Sequence, residues 1–202
     1  MQTYSNSNSK LIPQGIALLL SADTLSNLFL IPVVVPSPSN TITTSSRSSN
    51  TLQATEFKKA LAFTLQWEGG YSNHINDLGG KTFKGITQAK AKEYGVLDPR
   101  HLSDTQIHQI YQRSYWDAQK CWQYLPPLNY VCFDTAVNFG QFYFNERLPN
   151  NPSEAAQKVV ERRMAYRHQR VKQQPNQRVF LEGWLNRDRA LLDWVKSYDT
   201  TR

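Results

Sequence analysis

The sequence predicts a mainly α-helical fold from about residue 53 onwards, and three observations support that prediction. Apolar side chains recur at the three- and four-residue spacing of an amphipathic helix, as at Phe57, Leu61 and Leu65. Helix-capping residues precede several such segments, and glycines or prolines follow them. Runs of alternating polar and apolar residues, which would predict strands, are scarce.

The first predicted helix begins near Thr55, whose side chain suits an N-cap, and ends at Gly69–Gly70. A loop rich in glycine and asparagine follows it. Within this loop we expect a short hairpin around residues 79–86. A second helix is predicted over residues 87–94, directly before Gly95.

Four more helical segments complete the predicted fold. Ser103, followed by Gln106, begins a third helix that runs toward Trp116. Two prolines then interrupt the chain, and a short, very apolar helix is predicted over residues 130–139. Two long amphipathic helices follow, at about residues 154–173 and about residues 177–198.

The first 52 residues differ from the rest in composition. Ser, Asn and Thr dominate residues 4–9 and 40–51, which is typical of disordered or linker sequence. The apolar patches at residues 16–20 and 28–35 are shorter than the ~20 residues that span a bilayer, so we expect no stable membrane span. The segment loosely resembles a secretion signal, and a mis-called start codon would give a similar tail.

Net charge restricts the partners. The chain carries 23 basic and 16 acidic residues, a formal charge of +7. Five of these seven positive charges lie between Glu154 and Arg202, in a region that favours polyanions and is most simply a solvated basic face. No run of basic residues interleaved with aromatics predicts a nucleic-acid fold. The four histidines lack ligand-like spacing, so we expect no metal site. We expect no organic cofactor either.

Cys121 and Cys132 leave two interpretations open. They form a disulfide if the protein is exported, or they are two free buried thiols.

Glu68 is the principal candidate for catalysis. It lies eleven residues after Phe57, which places it about 20° away around a helix axis and on the same side as the apolar positions. A carboxyl group on that face points into the protein, where burial raises its pKa and lets it act as a proton donor. The alternative is a structural glutamate that caps a loop or pairs with a buried arginine.

A second acidic group follows nine residues later. Asp77 lies in a loop bracketed by two Gly-Gly pairs, and Thr82 follows it. Glycine lets a backbone pass close to a ligand, so this loop can place both side chains across a cleft from Glu68. An aspartate in such a loop is also a common turn former.

These segments resemble glycoside hydrolase family 108. The resemblance rests on Glu-Gly-Gly-Tyr at 68–71, on the Asp-x-Gly-Gly-x-Thr-x-Lys-Gly-Ile-Thr element at 77–87, and on Tyr-Trp-Asp at 115–117. It continues through Phe-Asp-Thr-Ala-Val-Asn-Phe-Gly at 133–140 and into the segment at 163–187.

The resemblance implies a lysozyme that cleaves peptidoglycan. Members of the family are N-acetylmuramidases, and Glu68 matches their catalytic acid, with Asp77 and Thr82 in supporting roles. Tyr71, Asp134 and Asn138 are the candidate substrate-binding residues. Asp134 and Asn138 share a helix face and also suit a structural role. The gap between Asp77 and Thr82 is one residue shorter than in phage-type lysozymes.

The resemblance also implies a domain organisation. We expect a disordered or signal-like segment (1–52), a lysozyme-like catalytic domain with a small hairpin or loop lobe (53–144), and a helical peptidoglycan-binding region packed on it (145–202). Residues 141–153 are shorter than the family's insert at that place, which reduces the wall-binding subsite.

The expected partner is therefore the glycan strand of peptidoglycan, met by a monomer in the cell envelope or outside the cell. Two other functions stay open. One is a chitinase- or chitosanase-like glycosidase, and the other is a non-catalytic peptidoglycan-binding accessory protein.

Overall fold

The computed structural model describes residues 45–72, 81–142 and 147–198. Within these ranges the fold comprises six α-helices and one two-stranded antiparallel sheet, so the mainly α-helical prediction is confirmed. The helices are α1 (Ser45–Trp67), α2 (Gln88–Glu93), α3 (Asp104–Tyr111), α4 (Leu128–Phe139), α5 (Pro152–Gln173) and α6 (Arg178–Ser197). The strands are β1 (Thr82–Phe83) and β2 (Ile86–Thr87), which form the small predicted hairpin.

The start of α1 corrects the sequence prediction. The helix begins at Ser45, inside the segment 1–52 that was predicted to be disordered or linker. Thr55 is therefore not an N-cap but an interior residue, and its hydroxyl donates to the carbonyl oxygen of Thr51 at 2.9 Å. Phe57 is anchored in the core, so a helix already exists there. Adding turns to it toward the N-terminus needs no new nucleus, and the polar segment before Phe57 can therefore be helical.

The other helix boundaries lie close to their predicted positions because the caps are local. The hydroxyl of Thr87 accepts from the backbone N–H of Lys90 at the start of α2. Ser103 and Gln106 form a reciprocal capping box at the start of α3. The side chain of Asn151 caps α5, which starts at Pro152, two residues earlier than predicted.

Helix α4 is the centre of the molecule. Its first nine residues are all buried, and it contributes to two apolar clusters on different faces. One cluster joins Phe133 to Phe57 and Trp116, and the other joins Val131 to the apolar faces of α5 and α6. The C-terminal helices therefore pack directly on α4, which agrees with the predicted packing of these helices on the catalytic domain.

Helices α5 and α6 form an antiparallel pair joined by a short turn at Pro175–Gln177. Trp194 of α6 stacks on Phe63 of α1 at 5.1 Å between ring centres and on Tyr130 of α4 at 4.5 Å. The last helix is thus held against both α1 and α4.

A disulfide bond stabilises the fold, and the helices were also compared with what a membrane span requires. Cys121 and Cys132 are joined by a disulfide, which connects the turn Cys121–Gln123 to α4. None of the helices in the described ranges combines the length and apolar character needed to cross a membrane.

Candidate active site

Glu68 stands at the end of α1, one residue beyond the last helical position. Its side chain is only 7% exposed, and its Oε1 accepts a hydrogen bond of 2.8 Å from Nη1 of Arg187 in α6. Thr64, one helical turn earlier, is fully buried and donates to Oδ1 of Asp134 at 3.0 Å. The inward face of α1 therefore ends in a polar cluster, and pairing with a buried arginine is the alternative that the sequence left open for Glu68.

The turn of the β1–β2 hairpin lies against the Glu68 carboxyl. Lys84 and Gly85 both have positive φ, 46° and 72°, as a two-residue hairpin turn of the primed type requires. A Cβ atom placed on Gly85 would lie 2.7 Å from the Tyr111 hydroxyl and 2.8 Å from Cδ of Glu68. Only glycine fits this position, for both its space and its backbone angle.

Two tyrosines complete the surroundings of Glu68. Tyr111 of α3 donates its hydroxyl hydrogen to the carbonyl oxygen of Lys84 at 2.7 Å. Burial, followed by the nearby Glu68 charge, raises the pKa of Tyr111 well above its usual value, and the same two causes raise the pKa of Tyr115. Both phenols therefore stay neutral and contribute fixed dipoles rather than charges.

Arg187 holds Glu68 and Asp134 together. Its Nη2 and Nε donate to Oδ1 of Asp134 at 2.7 and 3.3 Å, while its Nη1 donates to Glu68. Burial alone would raise the pKa of Asp134, but the guanidinium groups of Arg187 and Arg163 hold it well below its usual range. Asp134 is thus a buried anchor for Arg187 that stays charged at neutral pH.

The ion pairs continue away from Glu68 through α5 and α6. Arg163 donates to Asp134 at 2.8 Å and to Asp188 at 2.6 Å, and Arg167 donates to Asp188 at 2.9 Å. Three carboxyl groups and three guanidiniums alternate along the chain of contacts Glu68–Arg187–Asp134–Arg163–Asp188–Arg167. We refer to these six residues as the charge chain. Buried charges tolerate this arrangement because each one has an opposite partner.

The charge chain explains the positions of Asp134 and Asn138, two of the predicted substrate-binding residues. The side chain of Asp134 is 1% exposed and fully engaged by Thr64, Arg163 and Arg187. Asn138 donates to the backbone oxygen of Asp134 at 2.9 Å. This placement supports the structural interpretation of both residues rather than direct contact with a substrate.

The remaining predicted site residues belong to the hairpin side. Ser72 and Thr82 pair through two backbone hydrogen bonds of 2.8 and 2.9 Å, which fixes the two ends of the loop between them. Asp77 lies outside the described residues. Tyr71 is exposed, and the guanidinium carbon of Arg100 lies 4.5 Å from its ring centre.

Three residues of this site were not predicted from the sequence: Arg187, Gly85 and Tyr111. Arg187 lies in a segment that the family resemblance had assigned to a separate wall-binding region. Gly85 belongs to the Lys-Gly-Ile-Thr element at 84–87, and its Lys-Gly pair indicates a turn with positive φ. Within the described residues, no group of three or more His, Cys, Asp or Glu side chains is placed to hold a metal ion.

Comparisons with known proteins concern the family and the fold. Residues 61–140 match the family profile of Glycosyl hydrolase 108. The fold is similar to the solved structure of Brucella abortus SagA, with 19% sequence identity and a TM-score of 0.56, over 74% of this chain and 99% of that chain. At that identity the similarity concerns the fold alone. A comparison with curated proteins found no match.

The matched range contains Glu68, the hairpin and Asp134, whereas Arg187 lies beyond it. A profile that covers these residues indicates a peptidoglycan hydrolase acting at the cell wall or envelope. Residues 61–140 therefore match a Glycosyl hydrolase 108 domain, and this match indicates a lysozyme-like glycoside hydrolase.

Proposed function

We propose that this protein hydrolyses the β-1,4 bond between N-acetylmuramic acid and N-acetylglucosamine in peptidoglycan, with Glu68 as the general acid. The observation that carries this proposal is the setting of Glu68 within the matched family range. Its carboxyl is nearly buried, is fixed by Arg187 and lies against the β1–β2 turn, where Gly85 leaves room for it. A positioned, water-poor carboxyl group is what glycosidic cleavage requires of its acid.

The two carboxyl oxygens of Glu68 have different surroundings. Oε1 accepts from Arg187, whereas Oε2 faces Gly85 and makes no hydrogen bond to another described residue. We assign the transferable proton to Oε2. It passes to the glycosidic oxygen as the bond to the anomeric carbon breaks, and water then supplies hydroxide to that carbon and a proton to the solvent or a base.

Arg187 acts on the state that follows proton transfer. Glu68 is then a carboxylate, and the guanidinium 2.8 Å away stabilises it. Because the same guanidinium also binds Asp134, its orientation is fixed before the reaction and needs no rearrangement during it.

Asp77 and Thr82 are proposed as the groups on the far side of the scissile bond. A carboxylate there stabilises the positive charge that develops on the sugar ring, or positions a water together with Thr82. The distance between the carboxyl groups of Glu68 and Asp77 decides whether the reaction inverts or retains the anomeric configuration. The anomeric configuration of the first product therefore shows which of the two distances applies.

Envelope or extracellular action is proposed for the same reaction. Peptidoglycan lies outside the cytoplasm, and the disulfide between Cys121 and Cys132 fits an oxidising compartment. The role of residues 145–202 in wall binding stays a prediction. What the contacts of α6 support is that this region completes the active site through Arg187.

The bond specificity is tested by identifying the products. Purified peptidoglycan and chitin oligomers are digested in parallel, and the reducing ends are identified by mass spectrometry after borohydride reduction. The proposal predicts reduced N-acetylmuramic acid from peptidoglycan. Reduced N-acetylglucosamine from peptidoglycan, or faster cleavage of chitin, would assign a different bond or substrate.

A non-catalytic peptidoglycan-binding protein is the second candidate. One observation favours it, because an ion pair between Glu68 and a buried arginine is also a way to stabilise a fold. Sedimentation with peptidoglycan separates the two candidates. A protein that sediments with the polymer, before and after Glu68→Gln, yet releases no reducing ends under any condition, is a binder.

A further inference from the structure

A cavity lies beside the middle of α1, away from Glu68 at its C-terminal end. Its volume is about 490 Å³, and it is open to solvent. Since an α-helix rises about 1.5 Å per residue, the fifteen positions from Gln53 to Glu68 separate this cavity from the catalytic carboxyl by roughly 20 Å. We refer to it as the Trp122 pocket, and its main lining side chains are Gln53, Phe57, Gln112, Trp116, Asp117 and Trp122.

Trp122 lines the pocket and is exposed, and the backbone that carries it is held in place. Its side chain is 41% exposed, which for a single surface tryptophan would be unremarkable. Its neighbour Cys121, however, is fully buried and bonded to Cys132 of α4. Lys120, just before it, has φ 52°, so the turn Cys121–Gln123 is directed by backbone geometry as well as by the disulfide. An exposed indole on a constrained backbone beside a pocket provides a binding surface with less backbone entropy to lose on binding.

The floor of the pocket is aromatic and rigid. Phe57 and Trp116 are both 2% exposed, with ring centres 5.4 Å apart. Both rings also contact Phe133 of α4, at 5.5 and 6.0 Å between ring centres. The pocket is therefore built on the main core and not on a surface loop alone.

The polar groups of the pocket are two amides and one carboxylate. Gln53 and Gln112 each offer a donor and an acceptor, and Asp117 offers acceptors. A flat aromatic face beside a few hydrogen-bonding groups matches an N-acetylated sugar ring. Such a ring has an apolar C–H face, hydroxyl edges and one amide.

The segment Tyr115–Asp117 connects the two sites. It belongs to the π-helical turn Gln112–Asp117 that continues α3, a conformation found frequently at functional sites. Tyr115 lies close enough to Glu68 for that charge to raise its pKa, whereas Trp116 and Asp117 line the Trp122 pocket. The Tyr-Trp-Asp element at 115–117 therefore contributes to the surroundings of Glu68 and to the Trp122 pocket.

We propose that the Trp122 pocket binds an N-acetylated amino-sugar segment of the same glycan polymer that the Glu68 site cleaves. This inference rests on the proposed function for the identity of the polymer. A second attachment point on one polymer raises the effective concentration of the bond to be cut at the catalytic carboxyl.

Binding is measured with Glu68→Gln as the parent protein, so that the polymer is not consumed. The probe is purified peptidoglycan, with the bound fraction determined by sedimentation over a range of polymer concentrations. Trp122→Ala and Gln112→Ala each remove one wall of the pocket, and the second tests the proposal if the first does not fold. Leu125→Ala is the control, since Leu125 is 70% exposed, three residues from Trp122 and outside the pocket.

The proposal predicts that Trp122→Ala raises the apparent Kd for the polymer about fivefold, which is the loss expected for one aromatic contact. Leu125→Ala is expected to leave this Kd unchanged. In the protein with Glu68 intact, Trp122→Ala is expected to raise the KM for the polymer more than it lowers kcat. Unchanged binding by both pocket variants, in proteins with an unaltered melting temperature, would overturn the proposal.

The two proposals fail in different ways. If the wild-type protein releases reducing N-acetylmuramic acid but the pocket variants bind normally, the pocket inference falls and the catalytic proposal stands. If nothing is released but Trp122→Ala still loses the polymer, the catalytic proposal falls and the pocket stands.

Discussion

Arg187 is the residue on which the site depends most, and replacing it with methionine tests that dependence. Methionine keeps much of the length of the side chain and removes the guanidinium. The substitution deletes three hydrogen bonds, one of 2.8 Å to Glu68 and two of 2.7 and 3.3 Å to Asp134. Because Arg187 is only 6% exposed, water cannot replace these contacts without entering the core.

The expected loss follows from leaving charges without a partner. Removing one partner of a buried ion pair typically costs about 3–5 kcal/mol, since the remaining charge stays desolvated. Asp134 keeps Arg163 as a partner, whereas Glu68 loses the one cation that contacts it among the described residues, so we expect a value near the lower end, about 3 kcal/mol. That is a large share of the roughly 5–15 kcal/mol that stabilises a typical domain.

Urea unfolding followed by circular dichroism measures the loss. The control is Arg189→Met on the same helix, whose ion pair with Glu182 is exposed and worth below about 1 kcal/mol. In an Asp134→Asn background the cost of Arg187→Met should fall by at least about 1 kcal/mol, because the two residues are coupled. Equal losses for Arg187→Met and Arg189→Met, or strict additivity with Asp134→Asn, would refute the reasoning.

Three further predictions concern the hairpin, the disulfide and pH. Gly85→Ala should lower the hydrolysis rate at least about tenfold, because the added methyl group displaces Glu68 and because alanine is strained at φ 72°. A normal hydrolysis rate would show that this turn is not needed. Replacing Cys121 and Cys132 together by serine should lower the free energy of unfolding by about 2–3 kcal/mol for this short loop, measured in urea, and an unchanged midpoint would contradict it. The pKa of Asp134 is lower in the folded than in the unfolded protein, so its charge contributes fully to the free energy of unfolding above the unfolded pKa of 3.8, and this contribution declines as the pH falls below 3.8. If Asp134→Asn leaves the curve of unfolding against pH unchanged in shape, Asp134 is not a cause of acid unfolding.

Much of the helical framework was predictable because its signals are local. The caps at Thr87 and Ser103 and the left-handed Gly95 and Gly140 are each determined by a few neighbouring residues. The start of α1 was not predictable in the same way. A segment rich in serine and asparagine has little helical preference of its own, and it is helical here as the extension of a helix fixed at Phe57.

The candidate acid was found from its position, but its partner was not. Glu68 is placed on the inward side by the spacing of α1, which a reader of the sequence can follow. Arg187 is 119 residues further along, and no periodicity links the two. Their contact exists because α6 packs on α1 and α4 through Trp194, a consequence of tertiary packing alone.

The measurement that tests the central claim most directly is the rate of reducing-end release from purified peptidoglycan by the wild type, Glu68→Gln and Glu182→Gln. Glu182 is the matched control, since it is a glutamate on α6 whose side chain is 73% exposed. The account predicts that Glu68→Gln loses at least about a hundredfold in rate while remaining folded, as removal of a general acid does, and that Glu182→Gln matches the wild type. A folded Glu68→Gln protein that cuts peptidoglycan at the wild-type rate would contradict the account.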